Sequence, residues 1–176
     1  ENRYTLLQKV CDRGWDRDFD RIEEFKSANS YWLLDYALFM ALKRHFNMLS
    51  WLEWPDEDIR LRKPEAIKFY TEKLADDIRL FTYIQFLFFN QWNALREYAH
   101  ANNVRIFGDI PIYVAMDSAD TWSHPELFEL DEKGFPTLVA GVPPDAFSAT
   151  GQLWGNPIYR WSYHEETDYA WWMKRI

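Results

Sequence analysis

Val104-Arg105-Ile106-Phe107-Gly108-Asp109-Ile110-Pro111-Ile112-Tyr113-Val114 is the run on which the fold class turns. It is rich in β-branched and aromatic residues, which suit a pleated, half-buried surface. Gly108-Asp109 and Pro111 break it. The composition predicts a short buried strand whose C-terminal end delivers Asp109. A long helix leads into it, so the expected class is α/β. In α/β barrels an acid at a strand's C-terminal end is commonly functional.

Upstream the chain reads as helical. Phe19, Ile22 and Phe25 recur at helical spacing in an acidic, polar segment. Ser30 is placed to cap a second helix over about Tyr31–His45, apolar nearly all round and therefore expected deep in the core, with Asp35 as its one interior acid. Pro64 suits the first turn of a third helix. Its apolar residues Ile67, Tyr70, Leu74, Ile78, Phe81, Ile84, Phe88, Trp92 and Leu95 are each three or four apart. Asn102-Asn103 is a fitting end, because Asn tolerates the left-handed conformation.

Downstream the chain becomes loop-rich. Asp117-Ser118-Ala119-Asp120-Thr121-Trp122 reads as a short capped helical turn. Phe128-Glu129-Leu130 and Phe135-Pro136-Thr137-Leu138-Val139 read as a small hairpin with Gly134 in its turn. Val139-Ala140-Gly141-Val142-Pro143-Pro144-Asp145-Ala146-Phe147-Ser148-Ala149-Thr150-Gly151-Gln152-Leu153-Trp154-Gly155-Asn156-Pro157 follows, with no helical period, no alternation, and too many Gly and Pro for a regular element. It nonetheless carries Phe147 and Trp154 among Asp145, Gln152 and Asn156. Aromatic faces mixed with short hydrogen-bonding side chains suit a ligand that is half apolar and half hydroxyl, such as a sugar. A closing helix is read from Glu166 to Ile176, rich in aromatics.

Composition sets the outer bounds. The 176 residues fit one domain or a piece of a larger one. Aromatics at 19% exclude a disordered chain. A net charge of -8 with no Lys/Arg-rich run argues against nucleic acid, which needs a basic footprint. Tyr83–Phe89, the most apolar run, is too short to span a bilayer. Cys11 alone permits no internal disulfide and fits a reducing compartment, so the expected localisation is cytoplasmic. No signal peptide opens at Glu1-Asn2-Arg3. His45, His100, His124 and His164 are scattered, so no metal site and no cofactor is assigned.

Each candidate residue carries a plain structural alternative. Asp109 reads equally as a ligand-binding carboxylate or as a turn Asp capping its own backbone. Phe147 and Trp154 read as sugar-stacking faces or as anchors of a local mini-core, the latter slightly ahead on residues alone. Asp145 and Asn156 sit beside Pro144 and Pro157, and turn formation accounts for them at least as well as hydroxyl binding does. No local pair of carboxylates stands out for glycosidic chemistry.

Taken together, these segments resemble the 4-α-glucanotransferases, or amylomaltases, of glycoside hydrolase family 77. The matching stretches are Tyr31–Phe39, Phe107–Ala115, Asp117–Asp120 with Trp122, His124–Phe128, and Ala140–Tyr159. The resemblance implies a (β/α)8 barrel that moves α-1,4-glucan segments between sugars by a retaining mechanism. It implies that Asp109 contacts the glucose at the cleavage point. It further implies that the loop with Ala146 and Phe147 at its tip and Trp154 at its end overhangs the cleft. Many relatives carry Tyr where this chain has Ala146, which removes one aromatic contact.

The family's nucleophile lies in an Arg-x-Asp-His-Phe-Arg motif, absent before Ile176, as are its acid/base Glu and third Asp. The expectation is thus a partial barrel, an incomplete domain. Residues 1–103 are mostly helical, 104–114 form a barrel strand, 115–161 a loop-rich substrate-binding insertion and 162–176 a helix. It would hold an α-1,4-glucan or maltooligosaccharide through Asp109, Asp145, Phe147, Trp154 and Asn156, with no catalytic residue of its own. The alternatives are a non-catalytic carbohydrate-binding module and a purely structural domain. No nucleic-acid or membrane partner is expected, and uncovered aromatic surface favours self-association.

Overall fold

A computed structural model describes residues 2–176; Glu1, where the expected helical region starts, lies outside the described residues. In chain order the helices are α1 (Asn2–Ala28), α2 (Leu33–His45), α3 (Glu57–Arg60), α4 (Pro64–Lys73), α5 (Ala75–Ala101), α6 (Ala119–Ser123), α7 (Trp161–Glu166) and α8 (Ala170–Met173). Single 3-10 turns occupy Trp51–Glu53 and Pro125–Leu127, and the strands are β1 (Val139–Val142) and β2 (Gln152–Pro157). The chain divides into two compact units, one of the residues up to Met48 with Ile67–Gly108, the other of Leu49–Ala66 with Asp109–Ile176.

The first unit is helical. Cys11 and Ile22 of α1 bury against Leu80, Tyr83 and Phe86 of α5, with Leu7, Trp15 and Phe25 packed around them. These α1 positions are three, four or seven residues apart, so one stripe faces the core. Phe19, read with that stripe, is exposed instead. Tyr83 donates its hydroxyl to Asp18 at 2.9 Å, and the Arg17 guanidinium beside Asp18 holds that carboxyl below the usual range. α2 also packs on α5, burying Leu33, Ala37, Leu38, Phe39, Ala41 and Leu42. Its expected cap fails: α2 starts at Leu33 behind Trp32, with no side-chain cap, and Ser30 lies outside it. Trp32 Nε1 donates to Asn29 Oδ1 instead.

The third predicted helix divides at Leu74 into α4 and α5, although Leu74 N–H still bonds Tyr70 O and Ile78 N–H bonds Leu74 O, both at 2.9 Å. Beyond Asn90 the helix is largely exposed, Leu95 and Tyr98 included, because no described element covers that half. Asn102 caps α5 and Asn103 takes the left-handed φ of 58° as expected.

In the second unit two tryptophans act as internal struts. Trp51 Nε1 donates to Met116 O at 2.8 Å, and Trp122 Nε1 to Ile59 O at 3.1 Å. Burying such rings is favourable only when the indole N–H finds an acceptor. α6 carries the predicted cap, Ser118 Oγ accepting from Thr121 N–H. A second cluster holds Val114, Leu127, Phe128 and Tyr159, flanked by Tyr113, Leu130, Tyr163, Trp171 and Trp172.

Four expectations need correction. Residues 104–114 form no strand: the run is irregular and mostly exposed. β propensity marks a segment that suits a sheet, but a ladder needs a neighbour to accept and donate, and no described strand lies beside it. Only a two-stranded antiparallel sheet exists among the described residues, and it forms from β1 and β2, inside the segment read as wholly irregular. The hairpin at 128–139 is reduced to its turn and a single bridge, Leu130 to Pro136, with Gly134 at φ 85°. The closing helix is broken into α7 and α8 by Asp168 and Tyr169, both at positive φ.

Candidate functional site

The candidate site is built on the β1–β2 ribbon. Gly141 pairs with Leu153 and Val142 with Gln152, but Val139 pairs with Pro157. β2 therefore holds extra residues between Leu153 and Pro157, and the ladder bulges there. Gly155, inside the bulge, has φ 78°, a conformation that glycine adopts without strain. Gly151 at the far end of the loop has φ 73°, and a Cβ there would lie 2.5 Å from Val142 O. Glycine is the residue that lets the loop close.

Asp145 organises the tip. Its Oδ1 accepts the N–H groups of Phe147 at 2.9 Å and Ser148 at 2.8 Å, while its own N–H donates to Ser148 O. Ser148 Oγ donates to Gly151 O at 2.8 Å. The carboxylate is thereby committed to its own backbone, an Asx turn. Phe147, held on this turn, is 94% exposed. No described neighbour covers it, so it is not a mini-core anchor.

Trp154 is 45% exposed. Its Nε1 donates to Gln152 Oε1 at 3.0 Å, so the indole's single donor is used and its remaining offer is the ring face. The ring meets Tyr113 edge to face, centroids 6.1 Å apart at 69°. Asn156 Nδ2 donates to Val114 O at 2.8 Å, tying the loop base to the end of the Asp109 segment. Asp109 itself is exposed and, among the described residues, makes no hydrogen bond or ion pair. Trp154 and Asn156 are thus joined to the segment that carries Asp109, while Asp145 and Phe147 form a separate tip.

Sequence reasoning missed Tyr113 and Tyr159 as parts of this site. Tyr113 stacks parallel on buried Tyr159 at 6.0 Å and 7°, and no motif spacing links residues so far apart in the chain. Among the described residues there is no group of three or more His, Cys, Asp or Glu able to hold a metal, and no helix is long and apolar enough to cross a membrane. Chemically the arrangement offers two exposed aromatic faces with a free carboxylate on the adjoining segment, which suits a ligand with apolar ring faces and hydroxyl edges.

Comparison with known proteins bears on this chemistry. The whole chain, residues 1–176, matches the family described as 4-alpha-glucanotransferase. It is 49% identical over 175 residues to a 4-alpha-glucanotransferase of Clostridium butyricum, covering 99% of this chain and 36% of that protein. It is 48% identical over 176 residues to one of Aquifex aeolicus, covering 100% and 36%. Its fold superposes on the amylomaltase from Streptococcus agalactiae in complex with acarbose with a TM-score of 0.96 at 43% identity, covering 100% of this chain and 36% of that one. The chain spans about a third of the length of these relatives.

Proposed function

The chain belongs to the 4-alpha-glucanotransferase family, and we propose that it is the substrate-holding segment of an enzyme that moves α-1,4-glucan segments between maltooligosaccharides. The reaction is retaining, with a covalent glycosyl-enzyme intermediate, and the bond-breaking carboxylates lie outside residues 1–176. The segment forms one part of a (β/α)8 barrel in the cytoplasm, and the 104–114 run becomes a barrel strand once neighbouring strands flank it. Phe147 and Trp154 stack on glucose rings, Asp109 receives a hydroxyl of the glucose at the cleavage point, and Asp145 and Asn156 hold the loop in place for them.

The observation that carries this reading is the pair of exposed aromatics on a loop whose own hydrogen bonds are internally satisfied. Such a loop is ordered before a ligand arrives, so little entropy is lost on binding. Glucose release from maltotriose by the full-length enzyme tests it. Phe147→Ala and Trp154→Ala are each expected to raise KM about three- to tenfold, the loss of one ring contact of roughly 0.5–1.5 kcal/mol. The isolated 176 residues are expected to release no glucose. Unchanged KM in both variants, or release by the isolated chain, would overturn the assignment.

A further inference from the structure

We propose that Tyr113 is a positioning residue of the glucan site, the joint that sets the Trp154 ring in register with Asp109. The inference rests on the glucan reading above and assigns a role to a residue outside the loop.

Tyr113 stands between a rigid body and an exposed one. On one side its ring lies parallel to that of Tyr159, which is buried. Tyr159 is in turn walled by Phe128 at 5.4 Å, Trp161 at 5.4 Å, Trp171 at 5.7 Å and Trp172 at 5.1 Å. On the other side Tyr113 presents an edge-to-face contact to Trp154, at 6.1 Å. Edge-to-face and offset-stacked geometries are directional, because ring quadrupoles reward one mutual orientation over others. The Tyr113 ring therefore passes the orientation of the buried cluster to the indole. Along the chain it is only four residues from Asp109, and the 109–112 backbone has no regular structure of its own to fix the carboxylate. The Asn156 to Val114 hydrogen bond, one residue further on, pins the same crossing a second time. One side chain thus governs the spacing of the two groups proposed to grip a sugar from different segments. A ring bound on Trp154 meets Asp109 correctly only if that spacing holds, which is a demand of alignment.

The test is a double-mutant cycle in the full-length enzyme, reading KM and kcat for maltoheptaose. Tyr113→Leu keeps an apolar side chain of moderate size but removes the ring edge; it is expected to raise KM about three- to tenfold. Tyr113→Phe restores the wild-type value, since the ring is retained. In a Trp154→Leu background Tyr113→Leu is expected to raise KM no further, because its effect passes through the indole. A merely structural role predicts instead equal losses with and without Trp154, tracking a lowered melting temperature. That additive result would overturn the proposal, as would a wild-type KM in Tyr113→Leu. If Trp154→Leu alone leaves KM unchanged, it is the glucan reading that fails; if Trp154→Leu raises KM and Tyr113→Leu does not, only the positioning role fails.

Discussion

Asp145 carries more of the loop than its exposed position suggests. One carboxylate oxygen accepts two backbone N–H groups within three residues, and charge-assisted bonds of this kind are stronger than neutral ones. Removing the acceptor leaves both N–H groups to water, which costs little in stability because the tip is already solvated. The loss falls on order at Phe147. Asp145→Ala is therefore expected to raise KM for maltooligosaccharides up to about tenfold, near 1.4 kcal/mol, with the melting temperature almost unchanged. Asp145→Asn keeps a carbonyl oxygen for the same N–H groups and should recover most of the loss. Kinetics paired with thermal unfolding check it; a large drop in stability with KM intact would contradict the role. The residue also shows where local reading stopped short. The adjoining Pro144 made a turn Asp at least as good a reading as a sugar contact, and only the two N–H distances decide that its first task is the turn.

Among the elements, helices were the readable part. A 3.6-residue period is local, so α2, α4 and α5 and the second half of α1 could be located from spacing, with errors where packing decided a cap or a kink, as at Trp32 and Leu74, or which face is buried, as at Phe19. Strands were not readable, since a ladder depends on a partner that no local pattern contains. The 104–114 run had the composition without a neighbour, whereas β1 and β2 paired through Gly141 and around Gly155 with no alternation to announce them. The pair α7 and α8 is expected to have a pH dependence of its own. His164 is fully buried with its Nε2 against Leu127 O at 3.2 Å, and burial lowers its pKa from the ordinary value despite that hydrogen bond. A lowered histidine takes up its proton more readily when unfolded. Above the unfolded pKa the imidazole is neutral in both states and adds no pH dependence, and stability falls as pH drops below that value toward the folded one. The α7–α8 segment is expected to melt at lower temperature at about pH 5.5 than at about pH 7.5, straddling the free imidazole value of about 6.5. Fluorescence of Trp161, Trp171 and Trp172 follows the transition. His164→Gln, which retains an N–H donor without the titration, should flatten the difference; an equal shift in that variant would assign it to other groups.

At the scale of the whole molecule, the family could be read from its long motifs, but the candidate site only in outline. Trp154 and Phe147 were visible as aromatics out of place in a Gly/Pro-rich loop, while the Tyr113–Tyr159 stack joins residues brought together by folding alone. The same limit applies to what the chain does in isolation. Val104, Ile106, Phe107 and Ile112 are all exposed within nine residues, Phe107 completely so. The run keeps the composition of a strand. Val104 N–H is held by Ala99 O and Val114 O by Asn156, but between them, among the described residues, the backbone groups of Arg105–Tyr113 make no hydrogen bond within the chain. An irregular apolar segment with unpaired N–H and C=O groups is a template for another chain. The net charge of -8 opposes association over long range, but at about 0.15 M salt the Debye length is only about 8 Å, which leaves short-range apolar contact in control. The isolated 176 residues are therefore expected to sediment above the 21.3 kDa of a single chain, with the heavier fraction growing with concentration. Phe107→Asp with Ile112→Lys should return the species to one chain, since each replaces an exposed apolar side chain of the run with a charge. A single-chain mass at every concentration in the unaltered protein would show that the run is not adhesive, and would weaken its reading as a strand awaiting neighbours.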